Sequence, residues 1–240
     1  MLVIAHRGAR CELPENTLLA FESAIEGGAC AIEFDIHQHQ GEFWVIHDKW
    51  VDRTTNGHGP LAWHSIDGIK SLDAGKGEQI PTLKETLKFI AGRCAINIEI
   101  KGISDIGALI EHLELAQQEF NFKPQQLLIS SFNHHWLAGL HQRAPQYKIA
   151  ALSASKPLGL CRFAQELGAY SVNMALDTVD KQLIDDAKLR GLKVFVYTVN
   201  RADDWQRLYA LGVDGIFCDN PAEATHYFKD MSPQTPLWPE

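Results

Sequence analysis

The chain is short of several features that would assign it elsewhere. Its 240 residues include five cysteines (Cys11, Cys30, Cys94, Cys161 and Cys218), an odd number with no Cys-x-x-Cys pair. Cys30, Cys94 and Cys218 fall in or beside apolar strand-like runs, so buried free thiols are expected rather than disulfides. Basic runs are lacking and the net charge is −8, which argues against sequence-independent binding to nucleic acid. An anionic substrate stays compatible, because a local cluster of cations counts for more than the sum. No apolar stretch has the length of a membrane span, and the chain enters a strand at once without a basic leader. The expectation is a non-secreted, cytoplasmic protein with no stable membrane insertion. What is present is ordinary for a globular chain: 45% hydrophobic and 22% charged residues.

One phrase recurs along the sequence: a helical segment, a glycine, then an apolar strand. Gly27-Gly28 precedes Cys30–Ile36, Gly92 precedes Ala95–Lys101, and Gly168 precedes Tyr170–Asn173. Gly191 and Gly212 stand in the same relation to Lys193–Thr198 and Asp214–Cys218. Glycine just past a helix takes the left-handed conformation that ends it, so the repeat punctuates βα units and predicts a parallel sheet with outer helices. Val3–His6, Leu127–Ser130 and Lys148–Leu152 bring the predicted strands to eight. Helical patterns between them include Thr17–Glu26, Leu83–Ala91, Ile106–Glu119, Asp180–Arg190 and Ala202–Leu211. Eight strands separated by helices suit a single (β/α)8 TIM barrel, with a doubly wound sheet as the structural alternative. The barrel is expected over residues 1–230, with a loosely attached tail at 231–240. Phe43–His47 reads as an additional strand, and about 48–80 as a small insertion between barrel strands two and three; loops of that length are usually functional or mobile.

The informative residues lie on two of these strands, Ala31–Ile36 and Ala95–Lys101. Residues two apart on a strand share a face. Glu33 and Asp35 therefore project together, as do Asn97, Glu99 and Lys101, while the isoleucines and Phe34 between them point the other way. A half-exposed antiparallel sheet with a charged wet face would give the same pattern. In a barrel, however, these groups sit at the C-terminal ends of the strands, where active sites form, together with His6, Arg7 and His47. Carboxylates placed that deep need pairing or a metal. One hard divalent cation, Mg2+ or Ca2+, held by Glu33, Asp35 and Glu99 would satisfy all three. Arg7 offers a planar fork and Lys101 a point charge for a substrate phosphate. His6 and His47 are candidate proton donor and acceptor. The parts together point to phosphodiester cleavage.

At these residues the chain resembles the glycerophosphodiester phosphodiesterases. The matching segments run in order: His6-Arg7-Gly8, Pro14-Glu15-Asn16-Thr17, Glu33-Phe34-Asp35, His47-Asp48 and Arg53-Thr54-Thr55-Asn56-Gly57. Then come Pro81-Thr82-Leu83, Glu99-Ile100-Lys101, Ser131-Phe132, Tyr197-Thr198-Val199-Asn200 and Gly212-Val213-Asp214-Gly215-Ile216. A lone His-Arg-Gly would mean little; an ordered set from Val3 to Pro221 means much more. The resemblance implies a TIM barrel hydrolysing glycerophosphodiesters to glycerol 3-phosphate and an alcohol. It implies metal binding by Glu33, Asp35 and Glu99, acid–base work by His6 and His47, and phosphate binding by Arg7 and Lys101. Two departures stand out: Tyr197 where tryptophan is common, and Cys218 where a threonine often precedes the aspartate. The first bears on how the substrate packs, and neither touches the acid–base pair or the metal ligands.

Other residues are read in the light of that resemblance. Phe132 is a candidate wall for the leaving-group pocket, and Tyr197 is expected at the barrel mouth. Glu15 and Asn16 are candidates for orienting Arg7 and His6, with helix capping as the plainer role for Asn16. Asp48 could position His47 or the metal's water. His37 and His39 read as loop residues. His134 or His135 is taken to help cap a helix, and Trp44 and Trp63 to pack the insertion down. The expected partner is a small glycerophosphodiester; a homodimer stays open. The alternatives are a lipid-cleaving barrel of the lysophospholipase D kind and a binding protein that keeps the phosphate cup without turnover.

Overall fold

The computed structural model of the chain describes residues 1–232, 235 and 237–239. Its elements are β1 (Leu2–His6), α1 (Leu18–Glu26), β2 (Ala31–His39), β3 (Glu42–Val45), α2 (Ile66–Lys70) and α3 (Leu83–Ile90). β4 (Ala95–Gly102), α4 (Ile106–Glu119), β5 (Leu127–Ser131), α5 (His134–Arg143), β6 (Lys148–Ser153) and α6 (Arg162–Glu166) follow. The chain continues through β7 (Ser171–Ala175), α7 (Lys181–Leu189), β8 (Lys193–Tyr197), α8 (Ala202–Leu211), β9 (Gly215–Cys218) and α9 (Pro221–Phe228). The strands are hydrogen-bonded in the order β1-β9-β8-β7-β6-β5-β4-β2, and β1 pairs with β2 to close the ring. All eight pairings in that ring are parallel, while β3 is bonded antiparallel to the outside of β2. The fold is a TIM barrel with one strand added.

Local chemistry explains where elements begin and end. Thr17 caps α1 by accepting from the Ala20 amide, and Thr82 and Glu85 form a reciprocal capping box on α3. Pro221 opens α9, where its missing N–H costs nothing. Gly212 ends α8 at φ +79°, a conformation that strains any residue with a Cβ.

Strand periodicity then divides the core. Ile32, Phe34, Ile36, Ile96, Ile98 and Ile100 face outward into a layer with Phe21, Leu83, Leu87, Leu109 and Leu113 of the helices. On the opposite face, Leu2, Ile4, Ala31, Ala95, Leu128, Ala150, Phe195 and Phe217 fill the lower barrel. Glu33 and Asp35 share the parity of Ala31, and Asn97 and Glu99 that of Ala95. They continue these inner columns upward, and the column turns from apolar to polar on approaching the C-terminal mouth.

Several expectations need correction. β2 continues through His39, so His37 and His39 are strand residues paired with Trp44 and Glu42, not loop residues. The register against β4 slips between Ile36 and His37, where β2 turns toward β3. The additional strand is Glu42–Val45, which places His47 in the turn after it. Asn133, not a histidine, caps α5, while His134 Nε2 pairs with the Leu152 carbonyl. The insertion has a small core of Trp44, Ile46, Val51, Leu61, Ile69, Ala74 and Ile80. Trp44 is buried in it, whereas Trp63 is 78% exposed and packs from the surface, against Gly59 and with its ring 6.2 Å from that of Trp50.

The tail is anchored where it is described; Pro233, Gln234, Pro236 and Glu240 lie outside the described residues. Trp238 is 2% exposed, its ring 5.4 Å from that of Phe195. Its indole N–H donates to the Gln126 and Ile96 carbonyls at 3.1 and 3.3 Å, and Tyr170 Oη donates to Pro239 O at 2.6 Å. Those carbonyls belong to the N-terminal ends of β4 and β5, so the tryptophan plugs the barrel end opposite the mouth. Trp238→Ala is expected to destabilise the fold by about 3 kcal/mol, as large-to-small changes in packed cores do, measured by urea unfolding. A change under about 0.5 kcal/mol would mean the plug contributes nothing.

Candidate active site

The mouth of the barrel is assembled from strand ends. β1 ends at His6, and Arg7 turns sharply with φ +58°. Gly8 follows at φ +81°, where an added Cβ would lie 2.8 Å from the backbone of Ala20, so the third position of His-Arg-Gly tolerates only glycine. The turn is fastened to β2, because the Arg7 amide donates to both Glu33 O at 2.9 Å and Glu33 Oε2 at 3.0 Å.

Glu33, Asp35 and Glu99 come together. One oxygen from each lies within 4.8 Å of the others. Glu33 and Asp35 are almost completely buried, and Glu33 Oε1 and Asp35 Oδ1 have no hydrogen-bond partner among the described residues. Burial first, then the charges of Asp35 and Glu99, pushes the Glu33 carboxyl well above the ordinary range. Burial and the charge of Asp35 likewise push Glu99 up to about 7, against the pull of Lys101. Crowded, buried, partly unpartnered oxygens are what a hard divalent cation would satisfy, and the donor set is oxygen only. The residues fit such an ion.

Cations flank the cluster. Arg7 Nε lies 3.1 Å from Asp35 Oδ2, and Arg7 Nη1 donates to Glu15 Oε1 at 2.9 Å. Lys101 Nζ donates to Glu99 Oε1 at 2.7 Å and stands 3.7 Å from Asp35 Oδ1. Asn16 donates to Asp35 Oδ2 at 2.9 Å, so it holds Asp35 rather than His6; Thr17, not Asn16, caps α1. Glu15 is the residue that pairs with Arg7.

Each histidine has its own carboxylate. His47 Nδ1 is 2.6 Å from Asp48 Oδ1, and His6 Nδ1 is 2.9 Å from Asp219 Oδ1. A carboxylate only accepts, so both Nδ1 atoms carry the proton and Nε2 is the free nitrogen in the neutral rings. Burial pushes both imidazoles below the usual histidine value, outweighing the opposing pull of Asp219 on His6 and of Asp35 and Asp48 on His47. His37 Nε2 donates to the His47 carbonyl at 3.0 Å, pinning the turn from the barrel side.

A cavity of about 190 Å3 lies between these groups. His6, Arg7, Glu33, His47, Asn97, Glu99 and Lys101 form its polar wall, and Phe132, Leu152, Tyr197, Thr198 and Phe217 the other. Phe132 meets Tyr197 edge to face, with ring centroids 6.0 Å apart, and Lys101 Nζ lies 5.6 Å from the centre of the Phe132 ring. Tyr197 Oη donates to the Ser153 carbonyl at 2.9 Å, which fixes the ring at the mouth.

Sequence reasoning did not pick out Asp219. Asn200 exchanges two hydrogen bonds with it, Nδ2 to Asp219 Oδ2 and Oδ1 from its amide, and Arg10 Nε lies 3.4 Å from Oδ1. The signal was available, since Asp219 directly follows the last strand, and closure of a barrel sets the last strand beside the first. Arg10 and Arg53 were also passed over. Both reach Glu15, at 3.5 Å and 2.8 Å.

This arginine cluster has a pH consequence. Hydrogen bonding to Arg53 and the charges of Arg7 and Arg10 overcome burial and hold the Glu15 carboxyl down at about 2. A depressed carboxyl stabilises the fold above its unfolded-state value, and that contribution fades as pH falls from about 4.3 toward the folded value. Glu15→Gln should therefore melt lower than the parent at neutral pH, with the gap closing between pH 4 and 2. A gap independent of pH would contradict this.

Fold and pocket together define a TIM barrel of the class that works at the C-terminal ends of its strands. Residues 6–223 match the glycerophosphoryl diester phosphodiesterase family. A glycerophosphodiester phosphodiesterase of Caldanaerobacter subterraneus subsp. tengcongensis is 40% identical over 230 residues, covering 92% of this chain and 94% of the relative. One from Bacillus subtilis is 31% identical over 246 residues, covering 92% and 84%. Among solved structures, a phosphodiesterase of Oleispira antarctica in complex with the product sn-glycerol-3-phosphate superposes with a TM-score of 0.89 at 28% identity, over 96% of this chain and 97% of that one. The chain belongs to the glycerophosphoryl diester phosphodiesterase family, and it is a phosphodiester hydrolase. No helix among the described residues is long and apolar enough to cross a membrane.

Proposed function

We propose that the protein hydrolyses glycerophosphodiesters to glycerol 3-phosphate and an alcohol, with one divalent cation, Mg2+ or Ca2+, and two histidines. The observation that carries this reading is the single cavity lined by both carboxylate-tethered imidazoles, by Glu33 and Glu99 of the carboxylate cluster, and by Arg7 and Lys101. Glu33, Asp35 and Glu99 would hold the cation, which when bound supplies positive charge toward a phosphate oxygen. Arg7 and Lys101 bind the remaining phosphate charge, and Glu15 and Asp35 keep the guanidinium of Arg7 aimed.

The two imidazoles divide the proton work. With Nδ1 committed to Asp48 or Asp219, each presents Nε2. One, starting neutral, takes the proton of the attacking hydroxyl, from water or from the substrate's own glycerol; the other, starting as the imidazolium with a proton on Nε2, gives that proton to the departing alkoxide. Ionised Asp48 and Asp219 stabilise the imidazolium that forms on the base and the one from which the acid starts. Phe132 and Tyr197 line the apolar side, where the alcohol leaves.

The test is release of glycerol 3-phosphate from choline, ethanolamine, glycerol and inositol diesters, with and without added cation. No release from any of them would sink the reading. Release of choline from lysophosphatidylcholine but not from glycerophosphocholine would instead favour the lipid-cleaving alternative, and saturable binding without turnover the pure binder.

A further inference from the structure

Arg53 joins two parts of the site that the sequence keeps apart. Its Nε donates to Asp48 Oδ2 at 2.6 Å, and its Nη2 donates to Glu15 Oε1 at 2.8 Å. The other oxygen of Asp48 holds His47 Nδ1 at 2.6 Å, and the same Oε1 of Glu15 accepts from Arg7 Nη1 at 2.9 Å. Arg53 does not line the catalytic cavity. It lies on an adjoining hollow with Pro14, Thr54 and Asn56, and its side chain is 46% exposed.

We infer that Arg53 is a positioning residue that clamps Asp48, and through it His47, to the carboxylate that also aims Arg7. The inference rests on the proposed role of His47. Ion pairs this exposed add little to stability, so the pairing itself is a weak reason for the arginine. Its geometry is specific, because a carboxylate held at both oxygens cannot rotate. Asp48 is itself 28% exposed and lies in a turn, and with Arg53 removed it would hold His47 through one oxygen while water competed for both. A planar guanidinium spans two carboxylates at fixed angles; a lysine ammonium on a flexible stem does not.

The experiment measures steady-state kinetics on glycerophosphodiesters for Arg53→Ala, Arg53→Lys, Asp48→Asn and the Arg53→Ala/Asp48→Asn double variant. Melting temperatures check the fold. Arg53→Ala is expected to lower kcat about tenfold with KM within about twofold, since it removes alignment and not binding. Arg53→Lys should recover part of the loss. The double variant should be no slower than Asp48→Asn by more than about twofold, because both changes release one ring. An unchanged kcat, a rise confined to KM, or losses that multiply would each overturn the inference. A second readout is independent of turnover: the downfield Nδ1–H proton signal of His47, assigned by its disappearance in His47→Asn. It should vanish or broaden in Arg53→Ala, and its retention unaltered would overturn the clamp. If the parent protein released no glycerol 3-phosphate, the functional reading would fall while the proton signal still judged the clamp.

Discussion

His47→Ala should leave a folded protein whose turnover of glycerophosphodiesters is lower by about a hundredfold or more, the usual contribution of a placed general acid or base. His47 sits in the turn after β3, with 28% of its side chain exposed, one side-chain partner in Asp48, and its carbonyl held by His37. The carbonyl survives the substitution, so the turn stays pinned and the melting temperature should move little. His6→Ala should cost as much in rate. It also strips Asp219 of a partner, leaving Asn200 and Arg10 to hold that carboxylate. The measurement is kcat against each ester, paired with thermal unfolding. Turnover near the parent's in a folded His47→Ala protein would remove His47 from the chemistry.

The second large effect belongs to Asp35. This carboxylate is fully buried and central to the cluster, touching Arg7, Asn16 and Lys101. Asp35→Asn keeps the shape and deletes the charge. Activity should fall about a thousandfold, equivalent to roughly 4 kcal/mol of barrier. Stability should respond differently. In the absence of a divalent cation the substitution relieves repulsion toward Glu33 and Glu99 while weakening the hold on Arg7, and these oppose each other. Added Mg2+ or Ca2+ should raise the parent's melting temperature, by about 2.7 kcal/mol of linkage at a hundredfold excess over Kd, and should scarcely move the variant's. Equal shifts in the two proteins would place the cation elsewhere. Full turnover by the parent after exhaustive chelation would exclude the cation from the reaction.

Much of the architecture was legible because it rests on short-range rules. Alternation in Ala31–Ile36 and Ala95–Lys101 assigns each side chain to a face, and helix–Gly–strand punctuation counts the units. The errors came where a segment's fate depends on distant partners. His37 and His39 look like turn residues, yet they extend β2 because β3 supplies hydrogen bonds. The tail has the composition of a loose extension, yet Trp238 is buried because the barrel's lower end offers an apolar floor and two carbonyls. Asn16 reads as an orienter of Arg7 and His6 or, more plainly, as a cap, yet its amide meets Asp35, brought to it from β2, while Thr17 caps α1.

The sequence by itself determined which chemistry the chain carries. Carboxylates two apart on apolar strands, a histidine and arginine at the end of the first strand, and the ordered motifs between them all depend on spacing, which period-two geometry converts directly into shared faces. Tertiary structure alone decided how those groups are held. Asp219 reaches His6 only because β9 closes against β1, 213 residues apart. Arg53 is only five residues from Asp48, but it reaches Glu15, 38 residues away, only because the insertion folds against the loop after β1. Contacts of that kind depend on loop closure and packing summed over the whole chain, and no local pattern encodes them.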